Sequence, residues 1–140
     1  MNRVVADASF CGAWILPDES SEAAAALLEE IESGAVELVV PALWHYEMGN
    51  LLKSAIRRGR LTRAAARSAQ DLLGQVPLGL CDVPSAQTGR AILELSLKHG
   101  LSAYDSSYLE LARRLKLPLR TADKPLRKAA AAELDMVADQ

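Results

Sequence analysis

The sequence predicts an α/β fold, a mostly parallel central sheet of about five short strands covered by helices on both faces. Three observations lead there. Short apolar runs of strand length alternate with longer stretches of helical periodicity along the whole chain. Turn and cap residues separate these runs, with no linker, internal repeat or low-complexity segment between them. Acidic residues recur where a strand ends or a helix begins, the edge at which open parallel sheets bind ligands.

Val4 and Val5 lie in an apolar run that ends at Asp7-Ala8-Ser9, as a buried first strand would. A helical stretch from Cys11 to Leu16 follows and stops at Pro17-Asp18. Ser20 and Ser21 are candidate caps for a helix through Ala23, Leu27, Leu28 and Ile31, closed by Ser33-Gly34. Glu37 to Val40 is the second strand. Pro41 ends it and introduces a long helix in which Leu43, Met48, Leu51, Leu52, Ala55 and Ile56 recur at helical spacing. Arg58-Gly59 breaks that helix, and Thr62 with Arg63 begins another through Ala65, Ala69, Leu72 and Leu73.

Pro77 to Val83 reads as a third strand, weakened by Gly79. Ser85 opens a helix that uses Ile92, Leu93, Leu95 and Leu97 and ends at His99-Gly100. Tyr104, Tyr108, Leu111, Ala112 and Leu115 form the next helical stripe. Leu119 to Ala122 is the fourth strand, Leu126 to Glu133 a helix, and Met136-Val137 a short last strand.

At 140 residues the chain has the size of one domain with its own core, so residues 1–140 are expected to form a single unit. Half the residues are hydrophobic but only one is Phe, so Leu, Ala, Val and Ile must build that core. With 24% charged residues this composition excludes a disordered chain. A net charge of −2 leaves no overall nucleic-acid footprint, so any basic surface must be local. Lys53, Arg57, Arg58, Arg60, Arg63 and Arg67 make one such band, and Arg120, Lys124, Arg127 and Lys128 another beside Asp123. Trp14, Trp44 and Tyr46 read first as core aromatics and second as apolar surface for a partner.

Cys11 and Cys81 have no ligand spacing and are expected to be reduced and buried; His45 and His99 are expected in structural or surface roles. No apolar run reaches the ~18 residues of a membrane helix, and Asp7 interrupts where a signal peptide would be uniformly apolar. A cytoplasmic protein without membrane association is expected.

The acids carry the chemistry. Asp7, Glu47, Asp105 and Asp123 each have an ordinary explanation as a turn, cap or surface residue. Ser102-x-x-Asp105 matches a capping box, and Asp123 precedes Pro125 as a cap would. Coincidence weakens when all four fall at one sheet edge. Carboxylates gathered there repel by about 4 kcal/mol for a pair at 4 Å in an effective dielectric near 20, and a hard divalent cation turns that repulsion into binding. Asn50, three residues after Glu47, shares its helix face.

Asp7-Ala8-Ser9 after a Val-rich strand, Glu47-Met48-Gly49-Asn50, the run from Leu101 to Tyr108, and Leu117 to Asp123 resemble a PIN domain, more narrowly the VapC toxins of toxin–antitoxin pairs. The resemblance covers nearly the whole chain and is most specific from Leu101 to Asp123. It implies a three-layer α/β/α fold and a Mg²⁺- or Mn²⁺-dependent ribonuclease whose acidic site maps onto Asp7, Glu47, Asp105 and Asp123, all acids here. Ser9, Asn50 and Thr121 stand where such proteins often have a supporting polar residue. A homodimer and a VapB-like antitoxin are implied as partners beside the RNA substrate. Competing readings are another Mg²⁺-dependent phosphoryl-transfer enzyme and a non-enzymatic binding module. A dehalogenase-type phosphatase needs Asp-x-Asp at the first strand, where this chain has Ser9; a receiver domain lacks its acid pair and late Lys. A pure binder has no reason to gather four like charges.

Overall fold

Strand β1 (Asn2–Ala6) runs between β2 (Val36–Pro41) and β4 (Leu119–Arg120), and β3 (Leu78–Asp82) lies outside β2. This computed structural model describes residues 2–134. Every described pairing is parallel, with Val4 opposite Leu38, Val5 opposite both Val39 and Leu119, and Ala6 opposite Arg120. The strand expected at Met136-Val137 lies outside the described residues.

The helices are α1 (Ala8–Cys11), α2 (Glu22–Glu32), α3 (Leu43–Arg57), α4 (Arg63–Gln75), α5 (Ala86–His99), α6 (Ala103–Leu115) and α7 (Lys124–Glu133). The order β3-β2-β1-β4 means that the chain steps outward from β1 to β3 and then returns across the sheet to the far side of β1. Right-handed crossovers in both directions set the early helices and the later ones on opposite faces. The packing agrees: α3 touches α1 and α4, while α6 touches α5, α7 and the three strands β1, β2 and β4. The reversal between β1 and β4 is the topological switch point, where such sheets bind ligands.

Local chemistry explains the element ends. Ser21, Thr62 and Ser85 each accept a backbone N–H from the first turn of α2, α4 and α5, and Gly100 closes α5 at φ 66°. Trp44, Met48, Leu52 and Ala55 give α3 one buried stripe. Gly79 is accommodated within β3. It is the extra residue of a bulge, since Leu38 faces Leu78 and Val39 faces Leu80. A Cβ there would sit 2.7 Å from Glu37 Cβ, so only glycine lets β2 come this close.

Several expectations need correction. The helix expected over Cys11 to Leu16 begins earlier, at Ala8, because Asp7 caps it, and a 3₁₀ turn over Gly12–Trp14 ends it. Strand β4 stops at Arg120, where Thr121 turns aside to hydrogen-bond Asp7. Cys11 is buried, but Cys81 on the edge strand is exposed. Tyr104 leaves its stripe and is 63% exposed while Tyr108 is buried. Trp44 is core; Trp14 is partly buried and donates from Nε1 to the Ala24 carbonyl at 2.7 Å. His45 sits edge-on to Trp44, and His99 Nε2 lies 2.6 Å from Glu133 Oε2.

Candidate active site

Asp7 is the residue at which β1 becomes α1, and its carboxylate is nearly sealed from solvent, at 3% exposure. Its Oδ1 accepts from the Ser9 hydroxyl at 2.8 Å and the Phe10 N–H at 3.0 Å, and its Oδ2 accepts from the Thr121 hydroxyl at 2.7 Å. An ionised carboxylate has about four lone-pair sites, so roughly one stays open. Ser9 and Thr121 do more than hold Asp7. Ser9 Oγ accepts from the Ala122 N–H at 3.1 Å and Thr121 Oγ1 accepts from the Asp123 N–H at 3.0 Å, which stitches the ends of β1 and β4 together across the switch point.

Asp105 stands in the first turn of α6, where Ser102 accepts its N–H at 3.0 Å. The expected capping box is only half formed: the carboxylate makes no return bond to the Ser102 backbone N–H and lines the cavity instead. Asp123 caps α7 as expected, with Oδ2 accepting the Leu126 N–H at 2.9 Å. Glu47, half-buried on α3, accepts the Tyr108 hydroxyl proton at 2.6 Å.

These four acids, with Ser9 and Asn50, line one cavity of about 300 Å³. Thr121 stands behind it through Asp7. A larger depression of about 470 Å³ between α3 and α4 contains no carboxylate, so chemistry rather than size selects the smaller one.

Electrostatics bear the strain of this arrangement. Burial raises the pKa of Asp7 above the ordinary carboxylate range, against the hydrogen bonds from Thr121, Ser9 and Phe10, and the Asp105 charge raises it further. Burial likewise raises Glu47, with Tyr108 opposing and the Asp105 and Asp7 charges adding to the rise. Asp105 is raised by burial and by Asp123, with Ser102 opposing. Tyr108 is held far above an ordinary phenol by burial and by Glu47, so it stays protonated and can only donate to that carboxylate.

Among the described residues no three His, Cys, Asp or Glu side chains already converge into a ready-made cation cage. The donors are all hard oxygens, and Mg²⁺ binds through one or two carboxylates while keeping several waters. An open acidic cavity with one free lone-pair position on Asp7 suits that mode of binding better than a closed cage would.

Tyr108, which the sequence places only in a helical stripe, is also a site residue. A signal existed: a buried tyrosine hydroxyl needs a partner, and Tyr108 lies three residues after Asp105 on one helix face. The basic bands also divide. Arg60 is bound to Asp18 at 2.6 Å and to Glu19 at 3.0 Å, and Arg127 donates to the Thr121 carbonyl at 2.9 Å. Arg120 lies over the Phe10 ring, 5.8 Å from its centre. Lys53, Arg57, Arg63 and Arg67 instead line the groove between α3 and α4.

Comparison with known proteins places the chain in a family. The PIN domain family matches residues 4–132. Ribonuclease VapC3 of Pyrobaculum aerophilum is 34% identical over 124 residues, covering 89% of this chain and 92% of that protein. The crystal structure of PAE2754 from Pyrobaculum aerophilum superposes with a TM-score of 0.72 at 24% identity, over 99% of this chain and 89% of that one. Mycobacterium tuberculosis VapC20, a toxin that cleaves the sarcin-ricin loop, gives 0.66 at 17% identity, over 96% and 99%. Those two likenesses carry the fold alone; the family match and the curated relative carry more. The chain belongs to the PIN-domain family and is of the VapC type within it.

Proposed function

We propose that the whole chain, 1–140, is one divalent-metal-dependent endoribonuclease domain and acts as the toxin of a toxin–antitoxin pair. One observation carries the reading: Asp7, Glu47, Asp105 and Asp123, spread through the sequence, line a single cavity at the switch point. Asp7 and Asp105 would be the most direct ligands for Mg²⁺ or Mn²⁺, and Glu47 and Asp123 would bind directly or through water. When bound, the ion supplies Lewis-acid polarisation of a phosphoryl oxygen and acidifies an attacking water.

The protein's own residues do the rest. Ser9 and Thr121 fix both oxygens of Asp7 so that its open lone pair keeps one direction. Tyr108 fixes Glu47 at the opposite wall. Asn50 offers an amide N–H donor to a phosphate oxygen at the cavity mouth. A water oxygen then joins phosphorus as the bond from phosphorus to the leaving ribose oxygen breaks, and no side-chain nucleophile takes part. Lys53 and Arg57 offset the acids for an approaching polyanion. The resemblance to VapC toxins supports a VapB-like antitoxin and a homodimer as partners, and the curated relative bears the name of a ribonuclease.

The test is incubation of the purified protein with a mixed RNA pool, with Mg²⁺ or with chelator. Cleavage is expected only with Mg²⁺ and is expected to be lost in Asp105→Asn. Cleavage in chelator, or an unimpaired Asp105→Asn protein, would refute the mechanism. A binding module with no enzymatic role would show neither cleavage nor Mn²⁺ uptake sensitive to Asp7→Asn.

A further inference from the structure

Two tyrosines stand beside the carboxylates without being part of them. Tyr46 is 76% exposed and Tyr104 63% exposed, yet each is the chain neighbour of an acid, Glu47 and Asp105, one Cα step of about 3.8 Å away. Together they line a second cavity of about 350 Å³ between the start of α3 and the start of α6, with Pro84 and Ile92 as further apolar wall. Apart from the two tyrosine hydroxyls, its side-chain polar fringe consists of acceptors. Ser107 gives its hydroxyl proton to the Tyr104 carbonyl at 2.6 Å, which leaves its lone pairs free. Glu110 and Asp82 share the single positive charge of Arg114, at 2.8 Å and 2.7 Å, and keep acceptor capacity.

Such a cavity suits a flat neutral ring with exocyclic amines and not a phosphate, because it is apolar, aromatic and fringed with acceptors. The phosphate-binding chemistry lies next to it. Tyr46, Asn50, Lys53 and Arg57 are all exposed and recur at the spacing of a single stripe along α3, so an aromatic ring, an amide and two cations follow one another on one ridge beside Glu47. Proteins that bind single strands combine this pairing of aromatic platform and cationic track.

We propose that the Tyr46–Tyr104 cavity holds one unstacked nucleobase of single-stranded RNA and thereby sets which phosphodiester bond reaches the carboxylates. This rests on the ribonuclease reading for its consequence, but its binding half can be measured without catalysis. The probe is a set of short single-stranded RNAs carrying 2-aminopurine at successive positions, added with Mg²⁺ to the Asp105→Asn protein. Quenching by a stacked tyrosine is expected at one position and is expected to vanish when Tyr46→Ala and Tyr104→Ala are added. Stacking on an aromatic side chain is worth about 1–3 kcal/mol per base, so each Ala variant is expected to weaken binding about 5- to 150-fold. The Phe variants keep the ring and are expected to keep both quench and affinity. With Asp105 restored, the Ala variants are expected to scatter the cleavage positions.

An unchanged affinity and quench in the Ala variants overturns the proposal. So does sedimentation in which the Ala variants abolish self-association while RNA binding per protomer is intact, since the face then serves a second copy of the chain. If the unaltered protein leaves RNA uncut with Mg²⁺, the ribonuclease reading fails, and the quench still decides the base site.

Discussion

At the scale of single residues the cavity is held by hydroxyls. Thr121 donates to a carboxylate that is almost entirely out of water, so Thr121→Val removes a hydrogen bond and leaves a buried acceptor short of a partner. The expected loss is about 1–3 kcal/mol of stability, read from denaturant midpoints, with weaker Mn²⁺ binding in calorimetry. An unaltered midpoint would mean that Ser9 and Phe10 alone suffice to hold Asp7.

The carboxyl groups themselves predict a pH dependence whose sign is opposite to that of a salt-bridged acid. Asp7, Glu47 and Asp105 all have raised pKa values, so the folded protein binds more protons than the unfolded chain between the ordinary and the raised values. Metal-free stability is therefore expected to fall as pH rises from the ordinary carboxylate range through the raised one, and to level off above it. Thermal melting in chelator across that range checks this, and Mg²⁺ is expected to flatten the curve. Asp105→Asn is expected to stabilise the metal-free protein by a few tenths to about 1 kcal/mol, because it relieves partly screened repulsion, while abolishing cleavage. A destabilised Asp105→Asn protein would show that its carboxylate is structural.

At the scale of elements, every wall of the cavity but the one α3 supplies is a terminus. β1 runs into α1 at Asp7, α6 begins at Ser102, and α7 begins at Asp123. Helix starts expose backbone N–H groups, and the chain satisfies them with Asp7, Ser102 and Asp123. The same residues that end strands thus deliver carboxylates to one edge. The bulge at Gly79 shows how little slack the sheet has. Gly79→Ala would press a methyl group against Glu37 and is expected to destabilise the fold by about 1–3 kcal/mol in urea unfolding.

Helix α3 predicts a division among the cations. Lys53→Ala or Arg57→Ala is expected to reduce the slope of log affinity for single-stranded RNA against log salt by about 0.7 each. Arg60→Ala is expected to leave that slope alone, because Asp18 and Glu19 already occupy its guanidinium. Equal effects from all three would place the RNA path across the α3–α4 turn instead.

At the scale of the whole molecule, the strand order decides where everything meets. Asp7 and Asp123 follow the two strands that flank the reversal, and α3 and α6 approach from opposite faces with Glu47 and Asp105. No described helix is long and apolar enough to cross a membrane.

Much of this was legible in the chain. Caps at Ser21, Thr62, Ser85 and Ser102 follow from local backbone chemistry, and the buried strands follow from unbroken Val and Leu runs, so neither needs knowledge of distant residues. The acids were legible as a set because strand ends and helix starts are marked locally while a parallel sheet collects them at one edge. What tertiary structure alone decided is partnership. Tyr108 and Tyr104 lie four residues apart on α6 and look alike in sequence, yet one is buried against Glu47 and the other stands in solvent. Arg60 and Arg57 are equal in charge, yet among the described residues only Arg60 of the two finds carboxylates, Asp18 lying 42 residues away in the chain. Helical and strand periods fix which way a side chain faces; only the packing of elements distant in sequence fixes what it meets there.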